Sequence, residues 1–170
     1  MNLLERVLTL LRTNLTSVVE KSSDPEKMLR QLLLDMRNQL VQVKTQVAMA
    51  IAESHKQQKR SKERMLEAET WSKKAEQAVQ QGNDNAARIA LGHYNTAVKQ
   101  AQYYTQLQQE QQQFIATMRN VLHQLEAKIS EIETTIDAFA TQKRSALIQQ
   151  RVFDALNTTT KQREKENVKE

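Results

Sequence analysis

Hydrophobic residues in the first twenty positions recur every three or four residues, which is the spacing of one helical face. The apolar positions of this face are Leu3, Leu4, Val7, Leu8, Leu11, Leu15 and Val18. Polar residues, among them Arg6 and Arg12, stand between them. The pattern stops at Ser22, Ser23 and Asp24, ahead of the single proline. We therefore predict a short amphipathic helix within residues 1–22.

A second and much longer pattern begins at Pro25. Ser23 or Asp24 can cap a helix there, and Pro25 suits its first turn. Apolar residues then follow from Leu29 to Ala50 in alternating steps of four and three, which is the heptad spacing of a coiled coil. The pattern predicts a long helix that ends near residue 81.

The next break predicts a tight turn within residues 81–85. Gly82 can end one helix in the left-handed conformation, and Asn83 or Asp84 can cap the next. The alternation of three and four resumes from Leu91 to Phe139. Two long helices joined by so short a turn must be antiparallel, so the residue numbers of facing positions should add to about 165. The basic segment 54–64 would then face the glutamine-rich segment 101–111.

These patterns predict an all-α fold. It consists of a long antiparallel helical hairpin of the coiled-coil type, over residues 24–156, preceded by the short amphipathic helix. The helical pattern continues past Phe139 as an extension through Leu156, and residues 157–170 are charged and predicted to be flexible. Apolar residues off the two seams, such as Val41, Phe114 and Val121, would need cover. We therefore expect a homo-oligomer or filament.

Composition narrows the function. The chain has no cysteine, which excludes disulfides and thiolate metal sites. Its net charge of +5 is spread thinly along the chain, so no nucleic-acid partner is expected. No apolar stretch is long enough to cross a bilayer, and Glu5, Arg6 and Arg12 interrupt any signal peptide. We expect a protein on the cytoplasmic face of a membrane.

Candidate catalytic chemistry is missing from the sequence. The three histidines are far apart, and no phosphate-binding loop occurs. We predict no catalytic residues, no metal site and no cofactor, and hence no enzyme. The basic segment Lys56–Arg64 is read first as a solvated face and second as a contact for acidic groups or lipid phosphates. Trp71 is read first as packing and second as an anchor for a partner protein.

The amphipathic helix carries the strongest functional signal. One interpretation is that it docks on the hairpin. Insertion into lipid is favoured, because the hairpin seams already satisfy each other and residues 22–25 can act as a hinge. About nine apolar side chains at ~0.5–1 kcal/mol each outweigh about 1 kcal/mol from the small net charge. We predict that Leu3, Leu4, Val7, Leu8, Leu11, Leu15 and Val18, with Arg6 and Arg12, bind membrane.

Several motifs resemble one known family. They are "SSDPEKMLRQLLLDMRNQLVQV" at the start of the hairpin and "EAETWSKKAEQAVQQGNDNAARIAL" around its turn. Together with the first helix they are similar to the family of phage shock protein A and the vesicle-inducing protein in plastids. This family is a bacterial branch of the ESCRT-III superfamily.

The resemblance implies a peripheral protein that polymerises and protects the inner membrane under stress. Its first helix would insert into anionic lipid with packing defects. Family members also bind and inhibit an AAA+ transcriptional activator, and Trp71 would carry that contact here. The alternative function is therefore a coiled-coil regulator of such an activator, with lipid binding only as its input.

Overall fold

The computed structural model describes the backbone of residues 2–167 and the side chains of residues 2–165. Within this range the chain forms four helices and no strand. The helices are α1 (Leu3–Leu11), α2 (Leu15–Lys21), α3 (Pro25–Gln80) and α4 (Asp84–Asn167). Helices α3 and α4 pack as a long hairpin, so the predicted all-α fold is confirmed.

The turn between α3 and α4 occupies residues 81–83. Gly82 has a φ of 68°, a left-handed conformation that costs little without a Cβ atom. The Asn83 amide donates to the carbonyl of Ala78 (2.9 Å), and its side-chain oxygen accepts from the Ala86 amide (3.0 Å). Asp84 begins α4, where its carboxylate complements the positive end of the helix dipole.

The chain divides into two compact units. The turn unit comprises residues 40–123, and the terminal unit comprises the chain up to Gln39 with the chain from Gln124 onward. The core of the terminal unit contains fully buried side chains from three helices: Val7 of α1, Leu29 and Met36 of α3, and Leu125 and Ile132 of α4. An ion pair between Arg37 and Glu133 joins α3 to α4 at its surface.

Alanine dominates the turn unit near the turn. Six alanines are buried there: Ala68, Ala75 and Ala78 of α3, and Ala87, Ala90 and Ala97 of α4. Across the two helices the Trp71 ring stacks on that of His93, and these residue numbers add to 164, which agrees with the predicted register of about 165. The heptad spacing also predicts Met65, Val79 and Leu91 in the seam, but all three are exposed.

A polar level lies further from the turn in the same unit. Ser54 and Gln57 are buried there. The hydroxyl of Ser61 donates to the carbonyl of Ala101 (3.1 Å) and lies 2.8 Å from that of Thr105. The segment 54–64 therefore does face the segment that begins at residue 101, as predicted.

Helix α4 continues well beyond the hairpin core. All its side chains from Thr141 to Lys165 are exposed. The segment from residue 157 had been predicted to be flexible and without a core-forming pattern. Its described part, up to Asn167, is helical.

Candidate membrane-binding site

The N-terminal segment forms two helices where the sequence predicted one. Helix α1 ends at Leu11, and α2 begins at Leu15. Asn14 has an extended backbone (φ −85°, ψ 111°), and its side-chain oxygen accepts from the Thr16 amide at 3.0 Å. An asparagine in this conformation caps a new helix more readily than it continues an old one. The single helix expected for this segment is therefore wrong for this conformation of the chain.

Helix α1 is closed at its start by a capping box. The Asn2 side chain accepts from the Glu5 amide (2.9 Å), and the Glu5 carboxylate accepts from the Asn2 amide (3.2 Å). Two of the unpaired amides at the helix start are satisfied in this way, and the acidic Glu5 suits the positive end of the dipole. The capping box therefore stabilises the start of this nine-residue helix.

The apolar face of α1 and α2 is packed within the terminal unit. Val7 is fully buried and Leu15 is 7% exposed. Leu3, Leu8, Leu11 and Val18 are half-buried. Leu4 keeps 37% of its surface exposed, and both Arg6 and Arg12 are exposed. The predicted residues are thus brought together on one face, and that face is docked.

Three residues connect this docked segment to α3. Ser22 is extended (φ −97°, ψ 139°), and its hydroxyl accepts from the Asp24 amide at 3.2 Å. The Asp24 carboxylate in turn accepts from the Lys27 amide (3.3 Å) and caps α3. Ser23 and Asp24 are exposed. None of the three linker side chains is buried.

An ionic cluster ties the start of α3 to α4. The Glu26 carboxylate accepts from Arg30 at 2.8 Å and from Lys143 at 3.0 Å. The Arg30 guanidinium and then the Lys143 ammonium hold the pKa of Glu26 below its usual value of 4.5. The same carboxylate raises the pKa of Lys143. The cluster lies one residue beyond Pro25, next to the linker.

Trp71 is engaged by its own chain in the turn unit. Its ring stacks on that of His93, with centroids 4.2 Å apart, and the Lys74 ammonium lies 4.2 Å from its ring centroid. His93 is exposed, and its pairing with Trp71 was not predicted from the sequence. The antiparallel register could have found it, since the two numbers add to 164. The partner-anchor role of Trp71 stays a prediction.

The basic segment 56–64 is largely balanced by its own helix. Lys56 lies 3.7 Å from Glu53, Lys59 lies 4.0 Å from Glu63, and Arg64 lies 2.5 Å from Glu67. Arg60 stands over the ring of Tyr104 at 5.6 Å. These contacts support the interpretation of the segment as a solvated face.

No helix within residues 2–167 has a stretch apolar and long enough to cross a bilayer. In the same residues, no three His, Asp or Glu side chains are grouped so that they could hold a metal ion. The candidate site is the amphipathic face of α1 and α2, where the predicted membrane-binding residues lie together.

The fold and this site define an all-α hairpin protein that carries an amphipathic segment at its N-terminus. The chain belongs to the PspA/IM30 family, whose sequence model matches residues 2–168. This confirms the resemblance drawn from the motifs at the hairpin start and turn.

Individual relatives point the same way. Over 135 residues, 79% of this chain, it is 39% identical to the membrane-associated protein Vipp1 of Synechocystis. Over 146 residues, 86% of this chain, it is 30% identical to the phage shock protein A homolog of Deinococcus radiodurans. The chain spans 50% of the Synechocystis protein and 66% of the Deinococcus protein.

Proposed function

We propose that this chain is a non-enzymatic, peripheral membrane protein that binds lipid through α1 and α2 and assembles with its own copies. It would act in maintaining or remodelling a membrane, on the cytoplasmic face of the inner membrane or its equivalent. The observation that carries the proposal is the docked amphipathic face beside a three-residue linker that has no buried side chain. The relatives called membrane-associated support it.

The spacing of the apolar residues suggests the lipid-bound conformation. In a continuous helix at 100° per residue, Leu11, Leu15 and Val18 would all lie within about 80° of Val7. The docked chain breaks this face at residues 12–14. The apolar period continues across this break. It therefore fits a second conformation in which α1 and α2 form one continuous helix. We propose that α1 and α2 merge into one helix on the bilayer.

The free energies of docking and of insertion are nearly balanced. Burying a side chain such as Val7 or Leu15 gains about 1.5–3 kcal/mol in either environment, so these two contributions nearly cancel. Net gain on insertion comes from the surface that Leu4 and its half-buried neighbours still expose, and from the small net positive charge of the segment, at about 1 kcal/mol near anionic lipid. Anionic membranes with packing defects should therefore shift the equilibrium toward the bound state.

Self-assembly is supported by apolar side chains that the hairpin leaves uncovered. Leu34, Val41, Ile89 and Phe114 are 54%, 63%, 56% and 42% exposed. Val121 had been expected to need cover from a neighbouring copy, but the chain itself buries it to 7% exposure. A second copy is the simplest cover for the remaining four positions.

A charge-matched pair of variants tests the lipid-binding role. The double variant Leu4→Glu/Leu8→Glu places two carboxylates on the apolar face, whereas Thr9→Glu/Thr13→Glu places them about 200° and 240° from Val7, on the polar face. In the full chain, we expect the first pair to reduce co-sedimentation with vesicles of phosphatidylcholine and phosphatidylglycerol strongly. The second pair should retain most of it. Equal losses would show that charge repulsion, not apolar insertion, sets the affinity, and unchanged binding by both would reject the site.

A further inference from the structure

The last turns of α4 carry a second set of exposed apolar side chains. Ile148, Val152, Phe153 and Leu156 are 55%, 54%, 63% and 61% exposed. We call Ile148, Val152 and Leu156, which recur every four residues, the C-terminal stripe. Residues spaced by four lie along one side of a helix.

The C-terminal stripe points away from the hairpin core. Ile136, which is 4% exposed, marks the face of α4 that is buried in the terminal unit. At 100° per residue, Ile148, Val152 and Leu156 lie about 120°, 160° and 200° around the helix from Ile136. Beyond residue 140 the apolar residues of α4 thus lie on a different side of the helix. The seam of the hairpin cannot bury the C-terminal stripe.

The same segment is basic. Between Thr141 and Lys165 six cations stand against two carboxylates, for a net charge of +4; these residues are Lys143, Arg144, Arg151, Lys161, Arg163 and Lys165, and Asp154 and Glu164. Lys143 is paired with Glu26. Within the described side chains, Arg144, Arg151 and Lys161 form no ion pair, and all three are exposed.

We propose that residues 141–165 form a second membrane-binding surface, which lies along anionic lipid with the C-terminal stripe in the headgroup boundary. An exposed apolar stripe on a helix rich in Lys and Arg is the composition of a helix that lies in the membrane interface. The described side chains supply no carboxylate partner for Arg144, Arg151 and Lys161. Anionic phospholipid supplies it.

Pairing with a second copy fits the charges less well. Two such segments side by side would bring two charges of +4 together. Carboxylates earlier in α4 are also engaged within the chain, since Glu131 lies 3.3 Å from Lys128 and Glu133 pairs with Arg37. The segment belongs to the same terminal unit as α1 and α2, so the two lipid-binding surfaces would be parts of one unit.

The test uses variants of the 170-residue chain, with a control pair of similarly exposed apolar residues in the turn unit. Val152→Glu/Leu156→Glu changes two exposed positions of the C-terminal stripe, and Met49→Glu/Leu66→Glu changes two positions of the turn unit that are 60% and 64% exposed. We expect the first pair to weaken binding to phosphatidylglycerol-containing vesicles about tenfold, with no change in helix content by circular dichroism. The control pair should bind like the wild type. Equal affinities for the two pairs would overturn the proposal.

The contribution of the N-terminal helices can be separated in the same assay. In the Leu4→Glu/Leu8→Glu background, the proposal expects weak residual binding that disappears at high salt and on adding Val152→Glu/Leu156→Glu. No residual binding would overturn this inference and leave the proposed role of α1 and α2 intact. Binding unaffected by Leu4→Glu/Leu8→Glu but lost with Val152→Glu/Leu156→Glu would reject that role and support this one. A changed sedimentation coefficient with unchanged vesicle binding would assign the stripe to a second copy and overturn the proposal.

Discussion

Glu26 shows how a single side chain can join the two long helices of the hairpin. It is the second residue of α3 and contacts Lys143 across the hairpin and Arg30 on its own helix. These cations lower the pKa of Glu26 from its usual value of 4.5. The ionised carboxylate therefore stabilises the fold above pH 4.5, and this contribution is lost as the pH falls through the lowered pKa.

The variant Glu26→Gln tests this coupling. We expect the wild type to have the larger free energy of unfolding at neutral pH, by a small margin because the pair is solvated. The difference should close as the pH falls below 4.5 and should shrink in high salt. Urea unfolding at several pH values measures it, with Glu164→Gln near the end of α4 as a control that should not depend on pH in this way. A difference that persisted in acid would contradict the ion-pair explanation.

Residue-scale predictions from the sequence succeeded where one physical rule decides the position. Gly82 adopts the left-handed conformation because only glycine does so at little cost, and the sequence offers one glycine at the turn. Met65, Val79 and Leu91 are the most hydrophobic candidates near the turn, yet they are exposed and alanines are buried there instead. Hydrophobicity alone therefore does not identify the buried positions in this part of the hairpin.

At the scale of elements, the break between α1 and α2 is the main departure from the sequence pattern. The periodicity of the sequence identifies the apolar face but does not reveal whether one continuous helix or two shorter helices carry it. Asn14 is a good cap and a tolerable helix residue, so its surroundings decide between the two roles. Docking, with Val7 and Leu15 buried, selects the cap. A lipid surface should select the continuous helix.

This difference predicts a measurable gain of helix on vesicles. In the docked state residues 12–14 are not helical. If α1 and α2 merge on lipid, circular dichroism of the full chain should show slightly more helix with anionic vesicles than without. The variant Asn14→Ala removes the α2 cap and should show a smaller gain, because part of the change has already occurred in solution. A loss of helix on adding vesicles would contradict the merged conformation.

At the scale of the whole molecule, two amphipathic segments from opposite ends of the chain belong to one terminal unit, while the turn unit buries mainly alanines near the turn. The hairpin and its register could be predicted from the heptads and the single turn, because a short turn forces the two helices that it joins to pack antiparallel. The docking of α1 could not be predicted in the same way. Docking depends on a small free-energy difference between two apolar environments, the hairpin and the lipid. The burial of apolar side chains does not by itself favour one over the other.

The most direct test of the account is the location of α1 when lipid is present. Since the chain has no cysteine, Leu4→Cys provides a single labelling site at a position that the docked state leaves partly exposed. With an environment-sensitive NBD label on the full chain, anionic vesicles should shift the emission to the blue, and nitroxide-labelled lipids should quench it. Vesicle-bound protein whose emission is neither shifted nor quenched would show that α1 stays on the hairpin, and the central claim would be wrong.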